Sequence, residues 1–157
     1  MKKVGVTTED RKVVAAALAR EEETGAPAAA MELPDGTIVT GRTSDLLGAS
    51  SALLLNALKK LAGMPDELHL ISPVVLDPIQ QLKVDHLGNR NPRLHTDETL
   101  IALSICAATN PMADMAMQQL DKLRGCEVHS TVILSSVDER TFKRLGVNLT
   151  CEPRYSA

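Results

Sequence analysis

The chain has 157 residues, 17 basic and 20 acidic, for a net charge of −3. That length suits one domain, residues 1–157, large enough to bury roughly 70% of its unfolded surface without a staple. The mild charge gives no electrostatic case for nucleic acid or an anionic membrane, and no apolar run nears the roughly 20 residues of a membrane span.

Phe142 and Tyr155 are the only aromatic residues, which argues further against base-stacking platforms for nucleic acid. The core must therefore be built from Leu, Val, Ile, Met and Ala. Cys106, Cys126 and Cys151 are widely spaced with no CxxC, as buried reduced thiols of a cytoplasmic protein would be. The opening MKKVGVTTEDRK carries two lysines with no apolar stretch behind them, so it is no secretory signal.

Thr7 and Asp10 form a capping-box-like start, and Val13, Val14, Ala17 and Leu18 predict a helix that Gly25 stops. Asp35-Gly36 between Ala28–Leu33 and Thr37–Thr40 predicts a hairpin, because its tight turn needs a positive φ that Gly supplies. A long helix follows, with Ser44 as its expected cap and Gly63 at its end. Leu47, Leu54, Leu58 and Leu61 give it an apolar face. Gly48-Ala49-Ser50-Ser51-Ala52 makes its first half slim enough for another backbone or a ligand to come close.

Leu68–Ser72 is expected to be a buried strand, and Val75–Leu87 a helix with Pro78 in its first turn. Gly88–His95 is a polar loop. Thr96 or Asp97 then caps a helix carrying Leu100, Ile101, Leu103 and Ile105. Asn110-Pro111 breaks it, and Met112–Leu123 resumes until Gly125. Glu127–Leu134 alternates like a strand. Ser136 is expected to cap a helix over Val137–Leu145, and Val147–Cys151 closes the set as a strand before a fraying end. This alternation predicts an α/β fold: three layers, α/β/α, around a mixed sheet of about five strands.

Beginning helix–hairpin–helix–strand–helix, the order resembles the cytidine-deaminase-like topology. Zinc deaminases carry a His or Cys ligand and a Glu proton shuttle at the start of the helix after the hairpin. They add two Cys in a PCxxC motif after the third strand. Here Ser50-Ser51-Ala52 stands for the first triplet, and Ser72-Pro73-Val74-Val75-Leu76-Asp77 for the second, so both thiolates and the Glu are missing. One carboxylate and one hydroxyl do not make a catalytic zinc site. No metal or other cofactor is expected.

The runs DGTIVTGRTSDLLGASSALLLNALKKLAG, LISPVVLDPIQQLKVDHLGN, NPRLHTDETLIALSICAATNP and KLRGCEVHSTVILSSVDERTFKRLGVNLTCEP cover nearly the whole chain. They resemble the C-terminal region of a bacterial family of unknown function, catalogued as domain-of-unknown-function family 1846 and as uncharacterised protein family 371. Its members are roughly three times the length of a typical domain. The resemblance implies that this chain is one domain cut from, or encoded without, a larger N-terminal part. It brings no established activity. The absence of HExxH and of a Gly-rich Walker loop gives no support to the zinc-protease label that some members carry.

Two clusters are candidates for function. Asp85–Asp97 gathers His86, Asn89, Arg90, Arg93, His95 and Asp97. Arg forks and amide donors suit a phosphate or carboxylate, and the helix opening at Thr96 favours an anion. The plainer reading is a polar loop tied down by its own side chains; a metal held by His86, His95 and Asp97 matches no established spacing. The second cluster is Ser44, Ser50 and Ser51 at the slim helix start, beside Ser72 and Asp77 in a deaminase-like layout, against plain close packing of helices. His129 is expected to be a hydrogen-bonded sheet histidine. Met112, Met115 and Met117 are expected to be gap fillers or a subunit contact.

The expected function is a metal-free domain binding a nucleotide-like or anionic small molecule, at a site completed together with the missing N-terminal region. The alternative is a non-enzymatic dimerisation or interdomain packing module; a homo-oligomer is expected. The two part over Arg90, Arg93 and His95, which either pair locally or converge with Ser50, Ser51 and Asp77 on one cavity. No catalytic residue is assigned.

Overall fold

The computed structural model describes residues 12–44, 47–65, 68, 70, 71, 73–88, 91 and 93–153. The expected start at Thr7 and Asp10 lies outside them. Helix α1 spans Lys12–Thr24, and strands β1 (Ala28–Glu32) and β2 (Ile38–Arg42) form the hairpin. The turn is wider than a two-residue connection. Gly36 N donates to Leu33 O at 2.9 Å and Leu33 N to Thr37 O at 2.8 Å. That leaves Pro34-Asp35-Gly36 as a three-residue loop with Gly36 at φ 88°, the residue that carries the left-handed backbone.

The slim helix is α2, Ala49–Leu61, with Gly48 as its N-cap. The expected cap, Ser44, lies one turn too early: its hydroxyl accepts from Leu47 N at 3.2 Å. The slimness is used from the sheet side. A Cβ on Gly41 of β2 would sit 2.7 Å from Leu53 Cα and 2.8 Å from Ala49 O, so only glycine lets strand and helix come this close. Asn56 Nδ2 donates to Thr40 O at 2.8 Å and fixes the register between them.

Helix α3 is Pro73–Gln81, running into a π-helical turn, Leu82–His86. Then come α4 (Thr96–Ala107), α5 (Pro111–Met117) and a 3-10 turn, Leu120–Leu123. Strand β3 (Glu127–Ser130), α6 (Ser136–Leu145) and β4 (Asn148–Cys151) complete the chain. Strand β3 stops short of Leu134 because the Ser130 hydroxyl takes over the backbone of Val132, donating to its carbonyl at 2.7 Å and accepting from its N–H at 3.2 Å. The N-cap of α6 is Ser135, one residue before the expected Ser136.

The sheet is mixed, with order β2-β1-β3-β4: β1 is antiparallel to both neighbours, and β3 is parallel to β4. Among the described residues it has four strands, not the expected five. Leu68, Leu70 and Ile71 do not join the ladder, although Leu70 and Ile71 are buried. Burial of two apolar side chains satisfied the pattern of a strand without giving it a partner. On β1, Ala30 packs with Val13 and Ala17 of α1, whereas Ala29 and Met31 belong to the main core with Leu53, Leu54 and Leu58 of α2. Phe142 is the one aromatic in that core. All three cysteines are free; Cys126 is buried, while Cys106 and Cys151 are only half-buried. No helix among the described residues is long and apolar enough to cross a membrane.

Candidate functional site

A cleft of about 400 Å³ opens where the starts of α2, α4 and α6 meet, lined by Gly48, Ser50, Arg93, His95, Ser135 and Asp138 among others. Helix N-termini carry a partial positive charge and free N–H groups. At α4 and α6 these are engaged: Thr96 N donates to Asp138 Oδ1 at 2.9 Å, and Asp138 N to Ser135 Oγ at 3.3 Å. At α2, Gly48 has no side chain to offer as a cap. Ser50, in the first turn, is 2% exposed, and its hydroxyl has no hydrogen-bond partner among the described residues. Buried polar groups are normally satisfied, so an orphan beside a cleft is open to a water or a ligand group.

The backbone that carries Arg93 and His95 is held by Lys83 and Glu98. Buried Lys83, in the π-helical turn, donates to Arg93 O at 2.6 Å and to Glu98 Oε1 at 2.8 Å. The same Glu98 oxygen accepts from His95 N at 2.8 Å. The Leu94 carbonyl between them accepts from Ser51 Oγ at 2.9 Å, tying this loop to α2. Arg93 Nε donates to the Ser44 carbonyl, leaving its Nη groups unbonded among the described residues.

His95 Nδ1 lies 3.6 Å from Asp138 Oδ2, an ion pair rather than a short hydrogen bond. The Asp138 carboxylate raises the His95 pKa above its ordinary value, against a burial effect that works to lower it. Burial alone would push Asp138 up. Its interaction with His95 and the hydrogen bonds from the Thr96 backbone and hydroxyl outweigh that and hold it below the usual carboxylate value. The cleft thus presents an imidazole with its carboxylate already engaged, beside a guanidinium and a helix start that has glycine as its N-cap. This arrangement suits a phosphate or carboxylate.

Of the residues that the sequence singled out, Ser50, Arg93 and His95 meet in the cleft. Ser44 contributes its carbonyl to Arg93, and Ser51 is spent on Leu94. Asp77 is exposed on α3 and His86 is exposed in the π-helical turn; neither lines the cleft. Asp97 is exposed, with Oδ1 accepting from Glu98 N at 2.7 Å. Asn89 and Arg90 lie outside the described residues. Among those residues, no three His, Cys, Asp or Glu side chains are grouped to hold a metal, so His86, His95 and Asp97 do not form one. The sequence reading missed Ser135 and Asp138, whose only local signal is an ordinary helix start.

The chain matches the family described as "Domain of unknown function DUF1846, C-terminal" over residues 9–157 and belongs to it. It is 62% identical over 155 residues to a UPF0371 protein of Corynebacterium urealyticum, and 59% over 155 residues to one of Corynebacterium glutamicum. A UPF0371 protein of Streptococcus thermophilus is 54% identical over 155 residues. Each alignment takes in 99% of this chain and 31% of the relative. The chain thus spans about a third of the length of these relatives, whose names assign no activity.

Proposed function

We propose that the cleft binds the phosphate or carboxylate of a small, nucleotide-like molecule, without a metal. The observation that carries this reading is the buried Ser50 hydroxyl, which has no partner among the described residues and lies at the glycine-capped start of α2, in a residue that lines the same cleft as Arg93 and His95. The framework in this reading is a three-layer, deaminase-like α/β/α domain. Two features support it: α1 and α2 pack on residues of opposite faces of β1, and Ser50 falls at the start of the helix after the hairpin, where zinc deaminases carry their first ligand. In the full-length relatives, further residues from outside this region complete the site.

A thermal-shift panel of inorganic phosphate, nucleoside monophosphates and the matching uncharged nucleosides tests the reading. A ligand at a hundred times its dissociation constant stabilises the fold by about 2.7 kcal/mol. The monophosphate is expected to raise the melting temperature more than its nucleoside, and Arg93→Ala to abolish the difference. No shift with any anion, or a shift that Arg93→Ala leaves intact, rejects the cleft as the site. A zinc shift reversed by a chelator overturns the metal-free part.

A further inference from the structure

We propose that the outer face of α4 and the start of α5 is the surface on which the remainder of the polypeptide packs in the full-length members of this family. Helix α4 sends Thr99, Ala102 and Leu103 into the core, yet its opposite face carries Ile101 and Ile105, 59% and 55% exposed and one turn apart. On α5, which packs on α4, buried Ala113 and Ala116 have Met112 and Met115 as exposed neighbours. A helix apolar on both faces belongs inside a larger body.

The charge pattern agrees. Between His95 and Lys122 the chain has no Lys or Arg at all, although a solvated helix surface ordinarily mixes both signs. The charges left there are the acids Asp97, Glu98, Asp114 and Asp121, while lysine depletion and methionine enrichment are traits of an interface centre. The occupant follows from length: in each relative described above, this region is 31% of a single longer chain. The face therefore has more than two thirds of its own polypeptide available to cover it. The pairing is intramolecular in those proteins and does not depend on a ligand in the cleft.

The test introduces Ile101→Lys and Ile105→Lys into this chain, and the same changes at the matching positions of the full-length Corynebacterium glutamicum relative. In this chain both side chains face water, so the melting temperature should move by no more than about 1 °C; in the full-length protein it should fall by about 5 °C or more. Should the full-length variant not fold, hydrogen exchange on the unsubstituted proteins decides. Peptides over α4 and α5 should exchange at least tenfold more slowly in the longer chain than in this one. Equal melting shifts in both proteins, or equal exchange, overturn the proposal. So does sedimentation of this chain as a dimer that the double substitution dissociates, since the face then joins two copies.

Discussion

His95 and His129 each face a carboxylate, and they are built to opposite ends. His129, in β3, is fully buried with both ring nitrogens engaged: Nδ1 is 2.6 Å from Thr150 Oγ1, and Nε2 is 2.7 Å from Glu152 Oε2. Nothing is left for a ligand, and the ring works as a cross-strand clasp between β3 and the end of β4. His95 sits at a helix start on a cleft wall, with a side chain 34% exposed and one nitrogen 3.6 Å from Asp138. Its Nε2 makes no hydrogen bond among the described residues. A histidine beside a carboxylate is therefore no signature of a site by itself; the unspent nitrogen, and the unspent hydroxyl of Ser50 in the same cleft, are what set the two regions apart.

The largest effect expected from breaking this contrast is at the closed end. His129→Ala leaves Thr150 and Glu152 without their ring partner and opens a cavity in the sheet, for a loss of about 3 kcal/mol in chemical denaturation. Any anion-induced thermal shift should survive it at conditions where the variant is folded. A loss below about 1 kcal/mol would show that the clasp is dispensable.

Asp138→Asn comes next, at about 1–2 kcal/mol, since an amide oxygen can still accept from Thr96 but the charge opposite His95 is gone. Its sharper readout is the pH profile of stability. The raised His95 contributes fully below its ordinary value of 6.5, and that contribution is lost as pH rises through the raised one. The lowered Asp138 contributes above its ordinary 3.8 and is lost as pH falls through the lowered value. The pair's contribution is thus full and constant between those two ordinary values, and Asp138→Asn should flatten the falls on either side, below 3.8 and above 6.5. A wild-type profile that shows no fall as pH rises above 6.5 would remove His95 as a charged group.

The smallest effect has the opposite sign. Ser50→Ala removes a buried hydroxyl that has no partner, so stability should hold or rise by up to about 1 kcal/mol. The same variant should lose most of its response to phosphate. Destabilisation by Ser50→Ala would mean that the hydroxyl is already satisfied in the free protein, which would make Ser50 as closed as His129.

Much of the fold could be read from local chemistry. Gly36, Gly63 and Gly146 all adopt the positive φ that their places at turn and helix ends demand, and His129 is the hydrogen-bonded sheet histidine it was expected to be. Leu68–Ser72 misled because burial and strand pairing write the same apolar pattern, and only a ladder partner separates them. Glu152 was expected to fray, yet its N–H donates to Ser130 O at 2.9 Å and its carboxylate meets His129, a contact 23 residues away. Ser135 and Asp138 escaped for the same reason: nothing near them in the chain points to His95 or Thr96.

The sequence by itself determined the family, from runs that cover nearly the whole chain, and the α/β alternation, the hairpin and the slim helix, each written within a few neighbouring residues. Only the tertiary structure decided that the sheet has four strands, that Asp77 and His86 stand apart, and that Asp138 from α6 completes the cleft. The last of these depends on segments that meet across 42 residues. Such meetings are set by the whole core's packing, and no local spacing records them.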